Sequence, residues 1–217
     1  MRIKDPINLD QMKGEVYVMS DLHIGHENVL RFDSRPFETV EEMNSSIIGE
    51  LEKLRSNDIL IDLGDMFWNL TEDECIDILK KIKVHKFYKA VGNHDKDLYY
   101  YGKDGRLGSF FTQMSDILDL RIKWEGHTYR LALSHYPLLE WNHKNHGSVM
   151  VHGHSHGSLD VYDRSSTDLR VDIGYNSLLA RETGSFLVPI KRVIEYFRQR
   201  TGGMAFGDWA QSHIMLL

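Results

Sequence analysis

Five short polar motifs stand in a fixed order along this chain, and each follows an apolar run of the kind that forms buried strands. Every motif is therefore expected to lie at the carboxyl end of a strand. Open α/β sheets bind their ligands at that edge, so the pattern predicts that the motifs converge on one cleft. The motifs are Asp21-Leu22-His23, Gly64-Asp65, Gly92-Asn93-His94-Asp95, Ser134-His135 and Gly153-His154-Ser155-His156.

The first half of the chain alternates strands with helices. Strands are predicted over residues 15–20, 58–63 and 86–91, and helices over 39–55 and 71–83, where apolar residues recur at helical spacing. Each helix opens with a threonine that is followed three residues later by a glutamate. The pairs are Thr39 with Glu42 and Thr71 with Glu74, which is the pattern of a capping box.

The second half is richer in strands. A hairpin is predicted from residues 117–124 and 128–133, with further strands over 149–151, 169–173 and 186–188. Pro189 is expected to open a helix that runs to Arg200. No Pro/Gly/Ser-rich linker divides the chain, so we expect one α/β domain over residues 1–217. The role of residues 202–217 stays open, although Trp209 and residues 214–217 could pack back onto the body.

The composition restricts the partners and the compartment. With 26 basic and 32 acidic residues the formal charge is −6, so no extended face for nucleic acid is expected. The one cysteine, Cys75, cannot form an internal disulfide, which suits a reducing compartment. No apolar stretch approaches membrane-spanning length, and the N-terminus lacks the apolar run of a signal peptide. These features favour a cytoplasmic protein without a membrane partner.

The motifs together supply the ligands of a dinuclear metal site. They offer two carboxylates, one amide oxygen and four imidazoles, a set that suits two divalent cations sharing one carboxylate. Asp21 and His23 are two residues apart, as are His154 and His156, so in extended backbone each pair points to one side. Any one motif alone is common in loops, and Gly-His-Ser-His alone could be a structural zinc pair or a turn. The five together favour phosphoryl chemistry.

The order and spacing of these motifs resemble the calcineurin-like metallophosphoesterase superfamily, and in particular its small bacterial and phage-type members. The resemblance implies a β-sandwich of two mixed sheets flanked by helices. It also implies attack by a metal-bridged hydroxide on phosphorus, with manganese favoured among Mn, Fe, Zn and Co. The implied ligands of the first metal are Asp21, His23, Asp65 and His156. Those of the second are Asp65, Asn93, His135 and His154, with Asp65 as the bridge.

The resemblance also implies the catalytic residues. His94 is the candidate general acid, and its positive charge could be supported by Asp95 or by the charge of the substrate. His94 replaces the arginine usual in lipid A precursor pyrophosphatases, and the residues after Asp65 lack the Asp and Arg of phosphoprotein phosphatases. A histidine at this place is shared with cyclic-nucleotide phosphodiesterases. Phosphodiesters of small nucleotides are therefore the expected substrates. The alternatives are a broad phosphomonoesterase and an inactive metal-binding scaffold for partners.

Residues after the first motif are candidates for substrate contact. His26 and Asn28 are expected to line the cleft floor. Arg31 or Arg35 could grip a phosphate, and for each the equal alternative is a surface salt bridge or a loop anchor. The expected partner is a small phosphorylated, nucleotide-like molecule, and the oligomeric state is not predicted. Two weaker candidates are Tyr99-Tyr100-Tyr101, for base stacking or packing, and the loop with Trp141, His143 and His146.

Overall fold

Two five-stranded mixed sheets pack face to face in the computed structural model, which describes residues 6–95 and 106–214. In the first sheet the spatial order is β10, β2, β3, β4, β5, with an antiparallel pair at β10 and β2 and parallel pairs elsewhere. Its strands are β2 (Val16–Met19), β3 (Ile59–Asp62), β4 (Lys86–Ala90), β5 (Gln113–Ser115) and β10 (Val188–Pro189).

The second sheet has the order β1, β6, β7, β8, β9, and its antiparallel pair is the β6–β7 hairpin. The other neighbours run parallel. Its strands are β1 (Ile7–Asn8), β6 (Ile117–Trp124), β7 (His127–Ser134), β8 (Val149–His152) and β9 (Arg170–Asp172). Both sheets are therefore mixed, as the expected β-sandwich requires.

Seven α-helices are described. They are α1 (Val29–Phe32), α2 (Val40–Leu51), α3 (Glu72–Leu79), α4 (Asp160–Ser165), α5 (Leu178–Thr183), α6 (Ile190–Arg200) and α7 (Phe206–Ile214). Thr39 and Thr71 each cap their helix through the side chain, and Thr71 with Glu74 forms the full capping box. None of the helices in the described ranges has the length and apolar character that crossing a membrane requires.

The alternation of side chains along the strands of the first sheet creates two cores. Val16, Val18 and Ile61 face the second sheet and form the sandwich interior, together with α6 residues such as Phe197. The residues between them, such as Leu60, face outward and are covered by α2 and α3. Because strand side chains alternate with period two, one apolar run serves both cores, and both faces of the sheet are buried.

The structure confirms the predicted strands and long helices, with shifted ends. Helices α2 and α3 end at Leu51 and Leu79, earlier than predicted, and the last strand begins at Val188. The short elements α1, α4, α5, β1 and β5 were not predicted, and neither was α7 in the tail that follows residue 202. Trp209 packs onto the sandwich core as expected, whereas the tyrosines at 99–101 and residues 215–217 lie outside the described residues.

Candidate metal centre

The five motifs leave the carboxyl ends of β2, β3, β4, β7 and β8 and meet above the two sheets. Backbone hydrogen bonds join the loops that carry them. The amide of Asp21 donates to the carbonyl of Gly64 at 3.0 Å, and that of His23 donates to the carbonyl of Asp65 at 3.0 Å. Between the two sheets, Nδ1 of His135 bonds the carbonyl of Leu63 at 2.9 Å, and the amide of His154 donates to Asp21 Oδ2 at 3.0 Å. The motifs of both halves therefore form one site.

Two motif glycines allow this close approach. A Cβ atom at Gly92 would lie 2.1 Å from a carboxylate oxygen of Asp65, and one at Gly153 would lie 2.0 Å from the hydroxyl of Ser20. No real side chain tolerates such contacts. The glycines in Gly-Asn-His-Asp and Gly-His-Ser-His thus keep space for the ligands of neighbouring loops.

The backbone at the ligand positions is itself unusual. Five of the predicted ligands have positive φ, in the left-handed region that non-glycine residues rarely occupy. Asp, Asn and His tolerate this region better than most residues, and such strain is common where a fold holds functional groups in place. The five are Asp21 (57°), His23 (51°), Asp65 (55°), His154 (65°) and His156 (48°).

The first compact group of donors consists of Asp21, His23 and His156, whose ligand atoms all lie within 4.8 Å of one another. The Nε2 atoms of His23 and His156 face each other at 3.3 Å, and Nε2 of His156 lies 3.6 Å from Asp21 Oδ1. Two neutral imidazoles can share only one proton across such a contact. A cation that accepts both lone pairs satisfies this geometry, so the donors fit a divalent metal.

The second compact group consists of Asp21, Asp65 and His135. Nε2 of His135 lies 3.4 Å from Asp65 Oδ2 and 2.9 Å from Asn93 Oδ1, while its Nδ1 bonds the carbonyl of Leu63 at 2.9 Å. That carbonyl bond directs Nε2 toward the other donors. Asp21 belongs to both groups by distance, and Asp65 to the second. The bridging role of Asp65 stays a prediction.

The ring of His154 approaches the second group without joining its compact set. Its centroid lies 5.0 Å from that of His135, and its backbone amide donates to Asp21 Oδ2 at 3.0 Å. His154 is exposed at the mouth of the site. It is the predicted ligand whose side chain stands furthest toward solvent.

The pKa values of the donor side chains suit a site that binds cations. Burial raises the pKa of Asp21 to about 7 and that of Asp65 to about 8. Burial also lowers the pKa of His135 to about 3 and depresses that of His23 strongly, so both imidazoles are neutral near pH 7. Neutral imidazoles are metal ligands, and buried carboxylates favour a bound cation over a proton where one is available.

Arg35 holds the loop of the first motif and does not face the substrate side of the site, which corrects its predicted phosphate contact. Its side chain is fully buried, and it donates to the carbonyls of Asp21 and Leu22, each at 2.6 Å. Its Nε donates to Asp33 Oδ2 at 3.0 Å, and its guanidinium lies 4.0 Å from the ring centre of Tyr175. These contacts anchor the first motif from beneath, so Arg35 cannot reach a substrate phosphate.

Asp95 is likewise buried, which corrects its predicted catalytic role to a positioning one. Its Oδ2 accepts hydrogen bonds from the amides of Asp65 and Gly92, both at 2.9 Å, and lies 2.9 Å from Lys89 Nζ. Lys89 also pairs with Asp62, which in turn accepts from the amide of Gly64. This buried group of charges joins the second and third motifs underneath the site.

Asp172 plays the corresponding part below the fifth motif. It is fully buried, and it accepts hydrogen bonds from the Ser155 hydroxyl and from the amides of Gly157 and Gly174, at 2.9 and 2.7 Å for the amides. Neither Asp172 nor Lys89 was singled out from the sequence. A charged residue inside an apolar strand was the available signal, since such residues are buried only when they are paired.

The comparison with family models decides the assignment. The model of the calcineurin-like phosphoesterase family matches residues 14–182, which carry all five motifs. The chain belongs to the calcineurin-like phosphoesterase family. Its uncharacterized relative MJ1445 from Methanocaldococcus jannaschii is 28% identical over 166 residues, covering 73% of this chain and 82% of the relative. The protein of unknown function AQ665 from Aquifex aeolicus is similar in structure, with a TM-score of 0.58 and 19% identity. That similarity covers 85% of this chain and all of the other, and shows the fold alone.

The predicted substrate-binding residues other than Arg35 lie in the segment after the first motif. His26 stacks on Trp68, and its pKa is lowered by burial and by the neighbouring His94. Asn28 and Arg31 are exposed in and before α1. The substrate contacts of His26, Asn28 and Arg31 stay predictions.

The side chain of His94 is 40% exposed, and its Nε2 lies 3.9 Å from Asp65 Oδ2, so it stands at the opening of the metal centre.

Proposed function

We propose that this phosphoesterase hydrolyses phosphodiesters of small nucleotides with two divalent cations, manganese being the favoured ion. One observation carries the proposal: a partly exposed imidazole, His94, stands 3.9 Å from a carboxylate of the second ligand group. Such a group can donate a proton to a leaving oxygen that the metal ligands themselves cannot protonate.

The predicted ligand set would hold the two cations. When bound, they supply Lewis-acid activation of water and neutralise charge on the phosphoryl oxygens. The protein orients His135 and His156 through their second nitrogens, which bond Leu63 and contact Asp33. Asp95 and Asp172 hold the loops by backbone amides. His94 holds a proton at the mouth, where an alkoxide or nucleoside oxygen would leave.

The burial of Arg35 bears on whether the substrate is a phosphodiester or a phosphomonoester. A phosphomonoester is a dianion near neutral pH, and enzymes usually meet its additional charge with arginine or lysine. Arg35 is buried with its donors bonded to Asp33 and to backbone carbonyls, which removes one of the two arginines proposed for this purpose. The site then has the metal ions and Arg31 for charge neutralisation, and this smaller positive charge suits the singly charged diester better.

The matched test compares bis-p-nitrophenyl phosphate with p-nitrophenyl phosphate, at one manganese concentration and with one enzyme preparation. Both release the same chromophore, so the ratio of the two kcat/KM values reports diester preference directly. We expect a ratio above 10. A ratio below one would replace the diesterase by the monoesterase. Turnover of neither, with two equivalents of metal bound, would favour the binding scaffold.

A further inference from the structure

Trp68 lies between two histidines at the edge of the metal centre. Its indole is stacked on His26, with ring centres 3.9 Å apart and planes inclined by 10°. Its ring centre also lies 4.3 Å from that of His94, at an inclination of 56°. Trp68 is therefore in van der Waals contact with the proposed general acid while it is backed by a second aromatic ring.

The two metal-ligand loops place Trp68 at this point. The amide of Ile24 donates to the carbonyl of Met66, and the amide of Trp68 donates back to the carbonyl of Ile24. Gly25 gives the space, because a Cβ atom there would lie 2.6 Å from the Trp68 carbonyl oxygen. The loops after His23 and Asp65 thus run side by side, and the indole is fixed relative to the ligands of both.

We propose that Trp68 is a positioning residue for His94, which it holds in the orientation for proton donation to the leaving group. The proposal rests on the proposed function, because it assumes that His94 is the general acid. The side chain of His94 is 40% exposed, and its contacts select among its rotamers. Contact with a rigid indole on one side restricts them, and misplacement of a catalytic group by about 1 Å can cost about 10²-fold in rate. His26 supports the indole from its other side.

The kinetic test uses two diesters that differ only in their leaving group, methyl p-nitrophenyl phosphate and methyl phenyl phosphate. Nitrophenolate leaves without a proton, whereas phenolate leaves more slowly and gains from a general acid. We expect Trp68→Leu to lower kcat for the phenyl ester by about 10²-fold with little change in KM, and to spare the nitrophenyl ester. His94→Ala should show the same selectivity with a larger loss, and Trp68→Phe should retain most activity.

Phe32→Leu is the matched control. Phe32 is 80% exposed, and its ring centre lies 6.4 Å from that of His26. Loss of this aromatic residue should leave the ratio of the two esters unchanged. If Trp68→Leu lost activity equally on both esters, or lost none, the inference about Trp68 would be overturned. A selective effect of His94→Ala in the same experiment would still support His94 as the general acid. Unselective loss in His94→Ala, or a wild-type chain that cleaves neither ester, would overturn the general-acid mechanism, and the inference with it.

A second readout does not depend on activity. In the zinc-loaded protein, the ring protons of His94 should be shifted by the ring current of the indole, and His94→Ala identifies their NMR signals by loss. We expect these signals to move in Trp68→Leu and to stay in place in Phe32→Leu. Unchanged His94 signals in Trp68→Leu would overturn the proposed contact.

Discussion

Nδ1 of His156 lies 3.3 Å from Oδ1 of Asp33, and the other oxygen of that carboxylate accepts a hydrogen bond from Arg35. This contact decides which nitrogen of His156 faces the other predicted metal ligands. Nδ1 is directed at Asp33, so Nε2 is the nitrogen that could bind a metal. Burial disfavours the charged imidazole, but the bond to Asp33 and the charges of Asp21 and Asp33 together outweigh burial and raise the pKa of His156. Asp33 is placed as the carboxylate partner of a histidine that is a predicted metal ligand.

Asp33→Asn should weaken metal binding. The amide keeps the shape of the side chain but loses the charge that makes the imidazole a better ligand, so we expect metal affinity to fall by roughly 10–100-fold. Isothermal titration of manganese into metal-stripped protein measures the change. Asp77→Asn, the same substitution on the exposed surface of α3, is the control. Equal affinities in the two variants would show that Asp33 has no part in orienting His156.

Arg35→Lys distinguishes an anchor from a substrate contact. Lysine keeps the charge but lacks the planar donors that reach Asp33 and two carbonyls together. We expect lower metal affinity and a lower melting temperature, with KM for a diester almost unchanged at saturating metal. Titration calorimetry, thermal unfolding and steady-state kinetics give the three quantities. A raised KM with unaltered metal affinity and stability would restore the phosphate contact.

Lys89→Met should destabilise the fold. The substitution leaves two buried carboxylates, Asp62 and Asp95, without their cation, and loss of one partner from a buried ion pair typically costs about 3–5 kcal/mol. Chemical unfolding of the metal-stripped protein measures this free energy. Lys81→Met is the control, since Lys81 pairs with Glu52 at the surface and should contribute less than about 1 kcal/mol. Similar losses in both variants would refute the importance of the buried pair.

Asp65→Asn tests the bridge between the cations. An amide oxygen is a poor bridging ligand, so we expect the variant to lose or weaken both metal sites. Metal analysis after dialysis gives the stoichiometry. Asp21→Asn is the informative comparison, because Asp21 belongs to both donor groups by distance. Two full equivalents in Asp65→Asn would remove Asp65 as the bridge and leave Asp21 as the shared ligand.

The strands and the placement of the motifs at their ends were predictable because both depend on local patterns. Apolar runs that end in Gly-Asp or Gly-Asn-His-Asp specify a buried strand and the polar group at its end. The short helices were not predictable, since α1 has four residues and α4 and α5 have six each, too few for a helical period. Strand β1 has only two residues, and it forms by pairing with β6.

The supporting residues depend on contacts between distant parts of the chain. Lys89 lies beside Asp62 because β3 and β4 pair in that register, which neither strand specifies alone. Asp33 meets His156 across the sandwich, and Trp68 meets His26 because two loops run side by side. For the same reason the sequence could not decide between a phosphate contact and a loop anchor for Arg35. An arginine near a phosphate site and an arginine beneath it have the same local sequence, and only burial separates them.

Restoration of activity by metal tests the central claim most directly. Metal-stripped protein is titrated with manganese while bound metal and hydrolysis of bis-p-nitrophenyl phosphate are followed together. The account predicts no hydrolysis without metal and a rise that is complete at two equivalents per chain. Hydrolysis that persists in stripped protein with chelator present, or none with two equivalents bound, would contradict it.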